Sequence, residues 1–284
     1  MTATTATTRF LESRDRRLAY RTFGSGKPII LCTRFRGTMD LWDPLFLDNL
    51  AARGFQVVIF DYSGLGLSTG TRSYNPQDLA RDAHDLIEGL GLDGVVLAGW
   101  SLGGLAAQVG LVAFPQRLSH VVLLGTGPAG LLVKPAEQLF YDLARKPENT
   151  FDDELALFFE PGAPESVEAA RASAARIASH VAARGEDRSP PVPVDFAAAV
   201  LGDRPKNPIF PADAVLAAMT RTTLPVLHVG GDHDISFPIE NWYALNGKLP
   251  TLQLLTFPHT GHAPQHQHPV AVAAHIAAFA GAGV

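Results

Sequence analysis

The chain has 284 residues, 46% hydrophobic and 18% charged, with 23 Lys plus Arg against 28 Asp plus Glu. That composition excludes disorder over most of the length, and a formal charge of −5 gives no electrostatic footprint for nucleic acid or an anionic membrane. A lone cysteine, Cys32, excludes an intramolecular disulfide and a cysteine-based zinc cluster.

Residues Met1 to Thr8 have neither a basic n-region nor an apolar h-region. They read as a frayed tail rather than a secretory signal, and a cytoplasmic location is expected from absent signals. Thr8–Ser13 and Arg17–Phe23 flank a polar turn and predict an antiparallel hairpin. Pro28–Thr33 predicts an apolar strand, and Asp40–Arg53 a helix closed by Gly54. Gln56–Asp61 is β-branched without alternation, as in a strand covered on both faces. Pro76–Leu90 carries apolar residues at helical spacing. The uncharged stretch from Gly94 to Gln116 is long enough to span a membrane. Its glycines and the break at Gly99 argue instead for a strand, Gly94–Ala98, and a helix, Leu102–Phe114. His120–Leu124 is the next strand.

The rhythm then changes. Residues 129–223 contain no strong β run, only helical segments: Ala136–Arg145, Asp152–Phe159, Pro164–Arg184, Val194–Leu201 and Ala212–Met219. Proline-bearing linkers separate them. Strand–helix alternation resumes with Leu224–Gly230, Ile239–Gly247, Thr251–Phe257 and Pro269–Ala280. The expected class is α/β: a mostly parallel central sheet with helices on both faces, formed by residues 1–128 and 224–284 and interrupted by a helical insertion.

Gly99-Trp100-Ser101-Leu102-Gly103 sits between an apolar strand and an apolar helix, the setting a G-x-S-x-G nucleophile elbow requires. The sharp turn needs tiny neighbours, and the helix N-terminus favours developing negative charge. A serine nucleophile needs a base, and the base an orienting acid. Asp232 and Asp234 follow one late strand and His262 another, each past a strand's C-terminal end. His259, His266 and His268 are rivals to His262, and such a cluster also admits a metal-site reading. His228 and His84 read as structural.

At these residues the chain resembles the α/β-hydrolase superfamily. Asp61-Tyr62-Ser63-Gly64-Leu65-Gly66-Leu67-Ser68 is similar to its D-x-x-G-x-G-x-S stretch, and Gly231 to Asp234 with Pro238 to its acid loop. Gly261-His262 with Pro269 is similar to its histidine loop. The resemblance implies Ser101 as nucleophile, His262 as base and Asp234 as acid, with residues 129–223 as a cap (lid) subdomain over the site. It implies oxyanion donors at the N–H groups of Leu102 and Phe35. Cys32-Thr33-Arg34-Phe35 departs from the usual His-Gly, with Arg34 in the place of glycine. Arg34 and Arg36 flank that donor and are candidates for recognising a polar or carboxylate group, Arg36 preferred, with Asp61 as a structural partner. Trp100, Phe140, Phe158 and Phe159 are candidate pocket walls favouring an apolar substrate portion.

The expected activity is that of a cofactor-free, metal-free serine esterase or lactonase. A C–C bond hydrolase or perhydrolase-type haloperoxidase is the alternative within the fold, and a non-catalytic small-molecule receptor the alternative outside it. The expected partner is a small-molecule substrate. Neither nucleic acid nor membrane is expected, and homo-oligomerisation is left open.

Overall fold

A computed structural model describes residues 2–130, 132–201 and 210–281. The strands are β1 (Arg9–Ser13), β2 (Arg16–Gly24), β3 (Lys27–Cys32), β4 (Phe55–Phe60), β5 (Val95–Trp100), β6 (Leu118–Leu124), β7 (Val226–Gly231) and β8 (Leu252–Phe257). They form one sheet in the order β1-β2-β4-β3-β5-β6-β7-β8. Among the described residues only the pairings of β2, with β1 and with β4, are antiparallel.

Helices α1 (Pro44–Ala52), α2 (Pro76–Gly89) and α3 (Leu102–Ala113) belong to the first part of the chain. Between β6 and β7 lie α4 (Gln138–Ala144), α5 (Phe151–Phe158), α6 (Pro164–Arg184), α7 (Val194–Val200) and α8 (Ala212–Met219). The last part carries α9 (Glu240–Tyr243), α10 (Pro264–Gln267) and α11 (Pro269–Ala280).

The sheet divides two cores. Ile30 and Val58 face the apolar side of α2 and α3, while Ile29 and Val57 face α1 and α11. Alternate residues of one strand therefore enter different cores, which explains why β3 and β4 show no polar alternation. Among the described residues no helix is long and apolar enough to cross a membrane. The uncharged stretch from Gly94 is divided between β5 and α3 by the turn at Ser101.

Three local expectations are corrected. The helix expected over 40–53 begins only at Pro44. Proline is well placed in a first turn but not inside a helix, and the Asp43 side chain caps the start by accepting from the Leu45 N–H. Met39–Leu41 is a separate 3₁₀ turn. The helix expected over 239–247 is the single turn α9 followed by further turns, with Gly247 at φ +75°.

The third correction concerns the amino-terminal segment, which packs rather than frays. Ala3 and Ala6 are fully buried. The Ala3 N–H donates to Asp48 of α1 at 2.7 Å, and Thr4 meets His180 and Arg184 of α6 at 3.0 and 2.7 Å. A run of Ala and Thr has too little apolar surface to advertise itself, yet its small side chains fit between two helices.

Candidate active site

Ser101 occupies the turn between β5 and α3 at φ 58° and ψ −120°, a strained conformation for a residue with a side chain. Close packing makes the turn possible. A Cβ on Gly99 would lie 2.0 Å from the Gly103 carbonyl oxygen, and one on Gly103 would lie 2.1 Å from that of Cys32. The Thr126 hydroxyl fixes the turn further by donating to the Ser101 carbonyl at 2.7 Å. Thr126 is itself held, because its carbonyl accepts from Trp242 Nε1 at 2.5 Å and from His228 Nε2 at 3.2 Å. Gly125-Thr126-Gly127-Pro128 carries no side-chain pattern that marks this support in the sequence.

Asp234 lies in the loop after β7 and is buried. Its Oδ1 accepts from the Ser236 and Phe237 N–H groups at 2.8 and 2.9 Å, and its Oδ2 meets His262 Nδ1 at 2.8 Å. Asp232 points elsewhere: it pairs with His233 at 2.6 Å and accepts from the Thr260 N–H at 3.3 Å. The structure thus brings Asp234, not Asp232, to His262.

The His262 ring is buried and packs against Phe158 and Phe237, with centroids 6.0 and 5.7 Å away. Its carbonyl accepts from Trp100 Nε1 at 2.9 Å, tying the histidine loop to the residue before the serine. The other histidines have separate partners. His259 meets Glu165 at 2.9 Å, and His268 meets the Thr260 hydroxyl at 2.9 Å. His266 accepts from the Asp43 N–H at 3.3 Å, and burial pushes its pKa down to about 4. Burial likewise pushes His228 down to about 3.

Ser101 and His262 line one cavity of about 210 Å³. Their side chains form no direct hydrogen bond, a looseness common in sites without substrate. Neither the Leu102 N–H nor the Phe35 N–H has an acceptor among the described residues, so both are available to an oxyanion.

Phe140 and Phe158 line this cavity, as do Arg34 and Arg36. Trp100 and Phe159 instead border a neighbouring cavity of about 510 Å³ beneath α5 and α6, which corrects their placement as direct walls. The Trp100 indole is turned to the His262 carbonyl and the His266 ring, and Phe159 is buried against the insertion's own small core.

Asp61 does not pair with either arginine. It accepts from the Met39 and Leu67 N–H groups at 2.8 and 2.9 Å and from the Ser189 hydroxyl at 2.6 Å. Arg36, at φ 57°, donates from its side chain to the carbonyls of Lys146 and Pro147, both at 2.6 Å. Buried Cys32, its thiol pKa pushed up to about 12 by desolvation, is a core residue.

The model of the alpha/beta hydrolase fold matches residues 27–269. A solved alpha/beta hydrolase fold protein from Chitinophaga pinensis is 28% identical, with a TM-score of 0.82 over 98% of each chain. Among curated proteins, the pimeloyl-[acyl-carrier protein] methyl ester esterase of Vibrio campbellii is 27% identical over 87% of this chain and 92% of its own. A Mycobacterium tuberculosis protein with the provisional name non-heme bromoperoxidase BpoC is 28% identical over 48% of this chain and 53% of its own. The chain spans about half the length of these first curated bromoperoxidase relatives.

Proposed function

The chain belongs to the alpha/beta hydrolase family, and from that premise we propose that it is a serine hydrolase acting on carboxylic esters, lactones included, that carry an apolar portion. The observation that carries this reading is one cavity holding a serine at a strained strand–helix turn and a histidine whose Nδ1 lies 2.8 Å from a buried carboxylate. Ser101 Oγ attacks the ester carbonyl while His262 Nε2 takes its proton. Asp234 holds the Nδ1–H tautomer and stabilises the imidazolium that forms. The Leu102 and Phe35 N–H groups receive the oxyanion. The leaving alcohol takes the proton back from His262, and water releases the acyl group through the same base. Phe140 and Phe158 supply apolar walls. A cavity of about 210 Å³ lies below the roughly 300–1,000 Å³ usual for small-molecule sites, which favours a compact substrate.

A fluorophosphonate probe together with a panel of p-nitrophenyl esters and lactones tests this reading. Labelling and turnover are both expected, and both are lost in Ser101→Ala. Turnover without labelling, or turnover that survives the substitution in a folded protein, overturns it.

The bromoperoxidase names among the relatives favour one second reading of the same residues. A carboxylic acid would acylate Ser101 with loss of water, and hydrogen peroxide would then attack the acyl-enzyme to give a peracid. Peroxide- and acetate-dependent halogenation that disappears in Ser101→Ala would establish it.

A further inference from the structure

The guanidinium of Arg34 spends little of its hydrogen-bonding capacity on the protein. Its Nη1 donates to the Phe35 carbonyl at 2.8 Å, while its Nε is buried without an acceptor. Among the described residues it makes no salt bridge. A guanidinium offers five N–H donors in a planar fork, so most of this one is unspent. Burial pushes its pKa down to about 10, which still leaves it charged at neutral pH.

Its orientation is fixed. Cζ lies 4.6 Å from the centroid of the Phe158 ring and 5.2 Å from that of Trp100, so two aromatic rings hold the group in place. Arg34 lines both the cavity that contains Ser101 and His262 and the larger neighbouring one. A fixed, charged and mostly unpaired fork therefore stands inside the reaction chamber, at the partition between two cavities.

We infer that Arg34 is a specificity-determining residue, selecting esters that carry a free carboxylate in addition to the scissile bond. The inference deepens the serine-ester reading and rests on it. Arg36, the other guanidinium at this cavity, is committed to the carbonyls of Lys146 and Pro147. One guanidinium held against two rings supplies a single positive charge, which matches a singly charged carboxylate better than a dianion. Glu154 lines the same two cavities, and its charge acts on Arg34 without forming an ion pair. A substrate carboxylate bound to Arg34 is repelled by it. Glu154 therefore sets how strongly the arginine's preference is expressed.

The test compares methyl hemiesters of straight-chain dicarboxylic acids of increasing length with their neutral dimethyl diesters. At one chain length or more, the wild-type protein is expected to show higher kcat/KM for the hemiester. In Arg34→Met the hemiester-to-diester ratio of kcat/KM falls about 10- to 100-fold, mainly through KM. Arg34→Lys restores part of it, since charge returns without the planar fork. In Glu154→Gln, an exposed position where folding is not at stake, the ratio rises several-fold.

Equal losses for both esters in Arg34→Met would mean that the arginine only shapes the Phe35 loop, and the inference falls. It falls equally if the wild type prefers diesters at every length, or if Glu154→Gln leaves the ratio unmoved. A protein whose Ser101 labels with fluorophosphonate but which turns over no hemiester keeps the serine reading and loses the carboxylate one. Failure of labelling removes both.

Discussion

On the His262 side of the cavity, both oxygens of Asp234 are engaged, by two N–H groups of its own loop and by the His262 ring. The His262 carbonyl is tied in turn to Trp100 at the end of β5. On the opposite side, the loop over residues 33–37 is anchored from a distance. The Arg36 N–H donates to the Tyr74 hydroxyl at 2.9 Å, and the Arg36 guanidinium bonds carbonyls that follow α4. The first side is built from strand ends, and the insertion reaches only its histidine loop, where Phe158 packs on the His262 ring and its carbonyl accepts from the Ala263 N–H at 2.9 Å. The second takes its shape from the seating of the helical insertion. On the proposed mechanism the orienting acid is held by its own loop at the strand end, while the oxyanion donor and substrate fit are coupled to the insertion.

The largest test of this contrast is Ser101→Ala, expected to lower kcat by about 10⁶-fold with an unchanged circular dichroism spectrum, as in serine hydrolases whose nucleophile acts as part of a unit. Asp234→Asn follows at about 10⁴-fold, because an amide holds the wrong imidazole tautomer. Asp232→Asn, which weakens the exposed pairing with His233 and keeps an oxygen for the Thr260 N–H, is expected to stay within about 3-fold. If steady-state kinetics rank the two aspartates the other way round, the acid side has been drawn wrongly.

The core side also predicts sensitivity to acid. The His266 ring lies 4.7 Å from that of Trp100, tilted against it, and burial depresses its pKa from 6.5 to about 4. Below pH 6.5 the unfolded chain takes up a proton that the folded chain refuses. Stability is therefore complete above that pH and declines as pH falls towards 4, by about 3 kcal/mol from this group. Buried His228 acts in the same direction. Buried Asp61, its pKa raised to about 6, acts in the opposite direction, so denaturant titrations between pH 7 and pH 4 should show a steeper decline for the wild type than for His266→Gln, and parallel profiles would contradict it.

A smaller effect than the loss of Ser101 or Asp234 probes the other side. Arg36→Ala releases the loop from the insertion and is expected to lower kcat about 10-fold for neutral and anionic esters alike, through a less well-placed Phe35 N–H. A change confined to KM would mean that Arg36 contacts substrate instead.

The sheet strands and the Ser101 turn were legible because each leaves a side-chain pattern: apolar runs between turn residues, and glycines where a Cβ has no room. Asp234 was separable from Asp232 only by resemblance to a family motif, since residue type alone admits both. What escaped has a common cause. Arg36 bonds main-chain carbonyls at 146 and 147, and Thr126 bonds the carbonyl of Ser101. Every residue supplies a carbonyl, so such a partner leaves no mark on composition or spacing. The late start of α1 did have a signal, Asp43-Pro44, which the apolar periodicity around it obscured.

The buried amino-terminal segment bears on the order in which the molecule assembles. Thr4 reaches His180 and Arg184, and Thr8 reaches Asp187 at 2.9 Å, partners that lie more than 170 positions along the chain. Contacts of such sequence separation close loops of most of the polypeptide, and their entropic cost falls late on a folding route. The segment is then a clasp shut after the sheet has formed, holding α6 against α1. Its release opens the insertion before the core gives way, so hydrogen exchange along α6 should be faster than along β5, and a proteolytic cut after Thr8 should quicken it further.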